Sequence, residues 1–208
     1  MAPGLRGLVG CNAFEDMAQQ ESLPGSEPII EGLQYDPQFI TPADESALLQ
    51  NIKGLDFHEM KMRGVIARRR VLHYGVNYSF ETFRATPGPP IPEFLLPLRK
   101  KAAGFAGVAA EAVAEALITE YSPGATIGWH KDAAPFGIVM GISLASECRF
   151  RFRRGKVRAW ETAEILMPPR SAYVLDGPAR REWEHSIPAV KALRYSVTFR
   201  TLRVPVPR

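Results

Sequence analysis

The chain predicts an α+β fold: an all-β core of the double-stranded β-helix (jelly-roll) type, with flanking helices. From Glu115 onward, short β-like runs recur between turn residues, about eight in all, which suits a two-layer β-fold better than a parallel α/β sheet. Helical signals are confined to the region before that stretch. Two chemically matched residues, Asp132 and His185, lie far apart in sequence, and strands folding back on one another bring such residues together at a barrel mouth.

In chain order, residues 1–35 carry Gly, Pro, Ser and acidic side chains without periodicity and read as a flexible leader. Residues 36–208 then form the folded domain, helical and mixed over 36–114 and jelly-roll over 115–208. Thr41-Pro42-Ala-Asp44-Glu45 is an N-cap followed by proline at the first helical position, opening a helix through about Lys53. Val65 to Tyr74 is strand-like. Ser79 to Pro92, with Gly88 and four prolines, predicts a loop, and Pro92 to Ala103 a second helix. The strands of the core are expected at 116–121, 127–130, 138–144, 149–153, 163–167, 171–175, 185–187 and 194–202.

Composition agrees with one globular domain. A chain of 208 residues with 46% hydrophobic content has a sizeable core to bury. A net charge of +4 and a pI near 9.2 are moderately basic, compatible with a polyanionic partner. Two cysteines, Cys11 and Cys148, are too few for a disulfide framework, so a reduced, cytoplasmic protein is expected. No apolar run approaches the ~18 residues of a membrane span, and the N-terminus lacks a signal-peptide core.

The chemistry sits in an ordered constellation: His130-Lys131-Asp132, then His185, then Arg194 and Arg200. Two histidines and a carboxylate in this arrangement match the facial triad that binds non-haem Fe(II) and leaves the remaining positions for co-substrate and oxygen. If 127–132 is a strand, its period of two points His130 and Asp132 to one face and Lys131 to the other. The same rule puts Arg194, Ser196, Thr198 and Arg200 on one side of their strand. Two guanidiniums beside an iron suit a dianion with two carboxylates, such as 2-oxoglutarate. Taken singly, either arginine would pass for an edge-strand charge.

Three stretches carry a family resemblance: Tyr121-Ser-Pro-Gly through His130-Lys-Asp132, Gly177-Pro-Ala-Arg180-Arg-Glu-Trp183-Glu-His185, and Arg194-Tyr-Ser-Val-Thr-Phe-Arg200. Together they resemble the AlkB family of alkylated-nucleobase dioxygenases, from about Arg68 to Leu202. The resemblance implies Fe(II) on His130, Asp132 and His185, with 2-oxoglutarate and O2 as co-substrates. It also implies that Arg194 pairs the distal carboxylate of 2-oxoglutarate, and that Arg200 lies near the carboxylate that chelates iron. Tyr121 would offer a phenol hydrogen bond and Ser196 a further donor. Thr119 stands where the family usually has asparagine. The products would be succinate, CO2 and a hydroxylated or dealkylated base. No general base is assigned.

Substrate handling falls to the half before the barrel. Arg68, Arg69 and Arg70, followed by Tyr74 and Tyr78, combine cations with aromatic rings, which suits phosphate contacts and stacking on an extruded base. In the family this ground forms the nucleotide-recognition lid; the alternative is a strand with solvated arginines and two packing tyrosines. Arg149, Arg151, Arg153 and Arg154 offer a second basic surface. Ala134 departs from the family, whose demethylases commonly carry a second acidic residue there. The favoured expectation is oxidation of a modified base in DNA or tRNA by a monomer; the alternative is the same chemistry on a protein side chain or small metabolite.

Overall fold

A computed structural model of the chain describes residues 30–62, 65–79 and 84–203. Most of the expected leader lies outside those residues, but its end does not. Leu33–Asp36 forms β1, which pairs with the later strand at Ala172–Leu175, so the sheet begins within the predicted leader.

Helix α1 spans Pro42–Ile52, close to the expected bounds. Thr41 Oγ1 accepts from the Asp44 amide at 3.2 Å while the Asp44 carboxylate accepts from the Thr41 amide at 3.1 Å. This reciprocal cap is worth about 1 kcal/mol. The buried carboxylate of Glu45 then ties α1 to the sheet, accepting from the Ala145 amide and from Arg170 Nη1, both at 2.9 Å. Strands β2 (His58–Met62), β3 (Val65–Ser79) and β4 (Arg84–Pro87) follow. Strand β3 outruns its expected end at Tyr74, and β4 lies where a loop was expected, because Val76–Ser79 pairs back onto Arg84–Pro87. A short 3-10 turn at Glu93–Leu95 leads into α2 (Leu96–Phe105).

The catalytic half supplies β5 (Val113–Tyr121), β6 (Ile127–His130), β7 (Phe136–Leu144), β8 (Cys148–Lys156), β9 (Ala159–Met167) and β10 (Ala172–Leu175). A five-residue helix α3 (Gly177–Arg181), β11 (Glu184–Ile187) and β12 (Arg194–Leu202) complete it. All eight predicted core strands are present. An eight-stranded antiparallel sheet runs β1-β10-β7-β12-β5-β3-β2 with β4 beside β3, and a four-stranded sheet runs β6-β11-β8-β9. The two layers are the jelly roll.

Strand alternation decides what fills each layer. Tyr195, Val197 and Phe199 of β12, with Ile118 of β5 and Ile142 of β7, face outward and pack under Leu48, Ile52, Leu98 and Ala102 of the two helices. Between the sheets, Phe150, Phe152 and Met167 meet Tyr121, Val139 and Leu175. Each such side chain, fully buried, contributes roughly 1.5–3 kcal/mol. The alternate residues of the large sheet face the space between the layers, and there a cavity opens. Gly141 matters to its wall, because a Cβ at that position would stand 2.3 Å from the ring of Tyr173. No helix among the described residues is long and apolar enough to cross a membrane.

Candidate active site

The cavity between the sheets has a volume of about 280 Å³. Arg194, Ser196, Thr198 and Arg200 of β12 all line it, as strand parity requires, and the antiparallel register sets Tyr121 opposite Arg194 and Thr119 opposite Ser196. The residues expected to hold the co-substrate therefore share one wall.

Arg194 is only 2% exposed. Its Nε donates to Ser143 Oγ at 3.1 Å and its guanidinium stands 4.8 Å from the centre of the Tyr121 ring. Its Nη1 is buried without a hydrogen-bond partner. A cationic N–H left so costs at least about 1–3 kcal/mol, which an anionic ligand in the cavity would recover.

Arg200 is differently engaged from the expectation. Its Nη2 lies 2.7 Å from Asp132 Oδ1, to which Nε also donates at 2.9 Å, and Nη1 donates to Glu115 Oε2 at 2.7 Å. Every nitrogen thus faces a protein carboxylate, because Glu115 sits directly across the ladder from Arg200. Arg200 is a holder of Asp132 before it is anything else. Glu115, wholly buried, also accepts from His73 Nδ1 at 2.9 Å. A charged residue at an inward position of β5, matched in register to an arginine, was a signal the sequence reading passed over.

His130, Asp132 and His185 meet at this end of the cavity. Strand β6 stops at His130, so Asp132 lies in the following turn, where strand parity does not apply. The meeting is made otherwise: His130 pairs with His185 across β6 and β11, and their ring centres are 4.3 Å apart. His185 Nε2 is 3.5 Å from Asp132 Oδ2, an oxygen that is buried with no hydrogen bond. His130 Nδ1 lies 2.9 Å from the Gly128 carbonyl, which can only accept, so Nδ1 carries the hydrogen and Nε2 keeps its lone pair. Arg180, from the Gly-x-x-Arg motif, fixes the turn. It donates to the carbonyls of Gly137, Asp132, Ala133 and Phe136 at 2.8–3.2 Å.

The electrostatics suit metal ligands. Burial pushes the Asp132 carboxyl up, but Arg200, His185, Arg180 and His130 together outweigh it and hold the group ionised far into acid. Burial pushes the His185 imidazole down to about 3, against the pull of Asp132, so the ring is neutral at ordinary pH. An ionised carboxylate with an orphaned oxygen, a neutral buried imidazole and a histidine with a bare Nε2 are donors of the kinds that Fe(II) takes. Among the described residues, no three His, Cys, Asp or Glu side chains are already gathered closely enough to hold a metal ion.

The expected nucleotide-recognition residues divide by strand face. Arg69 and His73 line the cavity with Val71 between them, and Arg69 Nη1 donates to the Thr126 carbonyl at 3.1 Å. Arg70 and Tyr74 point to the other side. Arg70 is paired with Glu120 at 2.7 Å, and Tyr74 packs against the core beneath the helices. The period of two within β3 removes both from the cavity, correcting the expectation of a single cationic and aromatic cluster. Arg68 is exposed, and the side chain of Tyr78 lies outside what the structure describes. The second basic surface is largely neutralised: Arg149 pairs with Glu164, Arg153 with Glu184, and Arg154 with Glu161 and Glu182. Arg151 donates to Ser186 and stacks at 5.0 Å on the Trp129 ring. Lys131 is exposed and donates to the Arg181 carbonyl at 2.9 Å.

Residues 32–203 match the family model of the 2OG-Fe(II) oxygenase superfamily. The chain belongs to that superfamily. It is a dioxygenase that uses Fe(II), with 2-oxoglutarate and O2 as co-substrates. Within the superfamily its relatives are of the AlkB family. It is 29% identical over 191 residues to the alkylated DNA repair protein ALKBH8 homolog of Arabidopsis thaliana, covering 80% of this chain and 54% of that protein. It is 25% identical over 185 residues to the mouse tRNA (carboxymethyluridine(34)-5-O)-methyltransferase ALKBH8, covering 84% of this chain and 26% of that protein. An uncharacterized protein, L905, of Acanthamoeba polyphaga mimivirus is 27% identical over 83% of this chain and 86% of its own length. The solved structure of OsALKBH1 shares the fold, with a TM-score of 0.60 at 16% identity over 82% of this chain and 98% of that one. The chain thus spans about half or less of the two ALKBH8 relatives.

Proposed function

We propose that this oxygenase oxidises a modified base in DNA or tRNA, by hydroxylation or oxidative dealkylation, releasing succinate and CO2. The observation that carries the reading is one cavity with two ends. At one end are the orphaned Asp132 oxygen and the two histidines, and on its wall is the unpaired nitrogen of Arg194. His130, Asp132 and His185 would hold the iron. Bound there, Fe(II) supplies the redox chemistry by which 2-oxoglutarate and O2 become succinate and CO2 while a substrate C–H bond gains oxygen.

The chain's own residues bind, aim and shield. Arg194 pairs the far carboxylate of 2-oxoglutarate, with Tyr121, Thr119 and Ser196 completing that wall. Arg200, held by Glu115, keeps one Asp132 oxygen occupied and leaves the other, without a hydrogen bond, for a metal. Arg69 and His73 border the substrate side. The nucleic-acid assignment rests on the relatives' names, one a DNA repair protein and the other a tRNA-modifying enzyme, and on the basic pI near 9.2. We also infer a monomer, and a reducing cytoplasm, the latter supported by the free, buried thiol of Cys148.

The test is mass spectrometry of methylated and etheno-adducted DNA and of tRNA after incubation with enzyme, Fe(II), ascorbate and 2-oxoglutarate. A mass change in a base, matched by succinate, is expected. Succinate without any altered base in either polymer would refute the nucleic-acid reading and leave the protein or metabolite alternative.

A further inference from the structure

A second concavity, of about 670 Å³, adjoins the first and shares Lys131, Asp132 and Phe136 with it. Its rim carries Arg181 from the end of α3 and Arg203 from just after β12, with Arg180 behind them. Both rim arginines are exposed, and neither has a carboxylate partner among the described residues. The contrast with the outer face of β8 is the informative point. There Arg149, Arg153 and Arg154 all pair with glutamates. Here Lys131, Arg180, Arg181 and Arg203 gather around a single noncatalytic carboxylate, Asp176. Like charges left together beside a catalytic mouth call for a counter-charge from outside.

We propose that this groove is a phosphate-binding track, in which Arg181 and Arg203 each contact the backbone of the nucleic acid whose base enters the cavity. The proposal rests on the nucleic-acid reading above. It also reassigns the anchoring role from Arg70 on β3, which Glu120 occupies, to the groove that shares Lys131, Asp132 and Phe136 with the cavity. Ala134 lies in this groove. Being apolar and uncharged, it puts no negative charge in the path of a phosphate.

The experiment measures binding of the full-length chain to a fluorescently labelled single-stranded oligothymidylate of about 20 nucleotides, by anisotropy, from 50 to 200 mM KCl. Each phosphate contact on a single strand contributes roughly 0.7 to the slope of log affinity against log salt. Arg181→Gln with Arg203→Gln should flatten that slope by about 1.4, and weaken binding roughly 60-fold at 50 mM and roughly tenfold at 200 mM. Uncoupled conversion of 2-oxoglutarate to succinate should be unchanged. Arg149→Gln with Arg154→Gln removes the same charge from paired positions and should leave the slope near that of the parent. Equal losses from the two double variants, or a parent-like slope in the first, would overturn the track while leaving the nucleic-acid reading standing. A parent that binds no oligonucleotide overturns both.

Discussion

Replacing Arg194 by methionine isolates the co-substrate clamp, because methionine keeps most of the volume and removes only the charge and donors. In the chain without 2-oxoglutarate the change removes a buried nitrogen that has no partner, and also the bond to Ser143. These effects oppose each other at about 1–3 kcal/mol and about 1 kcal/mol. The thermal midpoint should therefore move by only a few degrees, at about 2–4 °C per kcal/mol for a chain of this size. With 2-oxoglutarate the balance changes. Losing a charge-assisted pair costs on the order of 1.5–3 kcal/mol, and at about 1.4 kcal/mol per tenfold the KM for 2-oxoglutarate should rise roughly 10- to 150-fold. The parent should gain thermal stability from millimolar 2-oxoglutarate by mass action, and Arg194→Met should gain little. Succinate formation gives the first quantity and thermal melts with Mn(II) in place of iron give the second. A parent-like KM together with a parent-like thermal shift would show that the orphaned nitrogen is not where the co-substrate binds.

Glu115→Gln should weaken Fe(II) affinity by roughly tenfold or more, the usual effect of losing a group that orients a metal ligand; unchanged iron titration would mean that Asp132 is held by Arg200 alone. Arg180→Ala frees four backbone carbonyls around the Asp132 turn. It should destabilise the chain by about 3 kcal/mol in denaturant, and a loss under about 1 kcal/mol would contradict its role in fixing that turn. The metal-free chain should lose stability as pH falls from about 6.5 toward about 3, since the unfolded chain protonates His185 over that range while the folded chain, with burial disfavouring the charge, does not. Asp132, held ionised when folded, adds a further loss below its unfolded value of 3.8. Melts in chelator should show His185→Gln with a flatter profile between those pH values, and an identical profile would mean that His185 is not buried neutral.

What the sequence disclosed depended on whether the rule applied to the right element. On β12 the period of two is uninterrupted from Arg194 to Arg200, so four inward residues and three outward ones were legible before any coordinates. The same rule, applied to 127–132, does not reach as far as Asp132. The strand ends at His130, and the approach of Asp132 depends on Arg180 gripping the turn, a long-range contact that local pattern does not encode. Over Arg68 to Tyr78 the error was different. Neighbouring cations and rings were read as one cluster, although alternation along β3 sends Arg69 and His73 inward and Arg70 and Tyr74 outward. The short strands β1, β2 and β4 were missed because none of the three alternates clearly: β1 is four residues of LQYD, β2 reads HEMKM and β4 ends in proline. Their strand character comes from the partners they pair with.

The most direct test of the iron assignment is metal content and turnover in Asp132→Ala. The parent, reconstituted without oxygen, should bind one Fe(II) per chain and convert 2-oxoglutarate to succinate when oxygen is admitted. The variant should keep a parent-like far-ultraviolet circular dichroism spectrum, bind iron far more weakly and form no succinate above the enzyme-free rate. Retention of both iron and turnover by Asp132→Ala would contradict the placement of the metal on His130, Asp132 and His185.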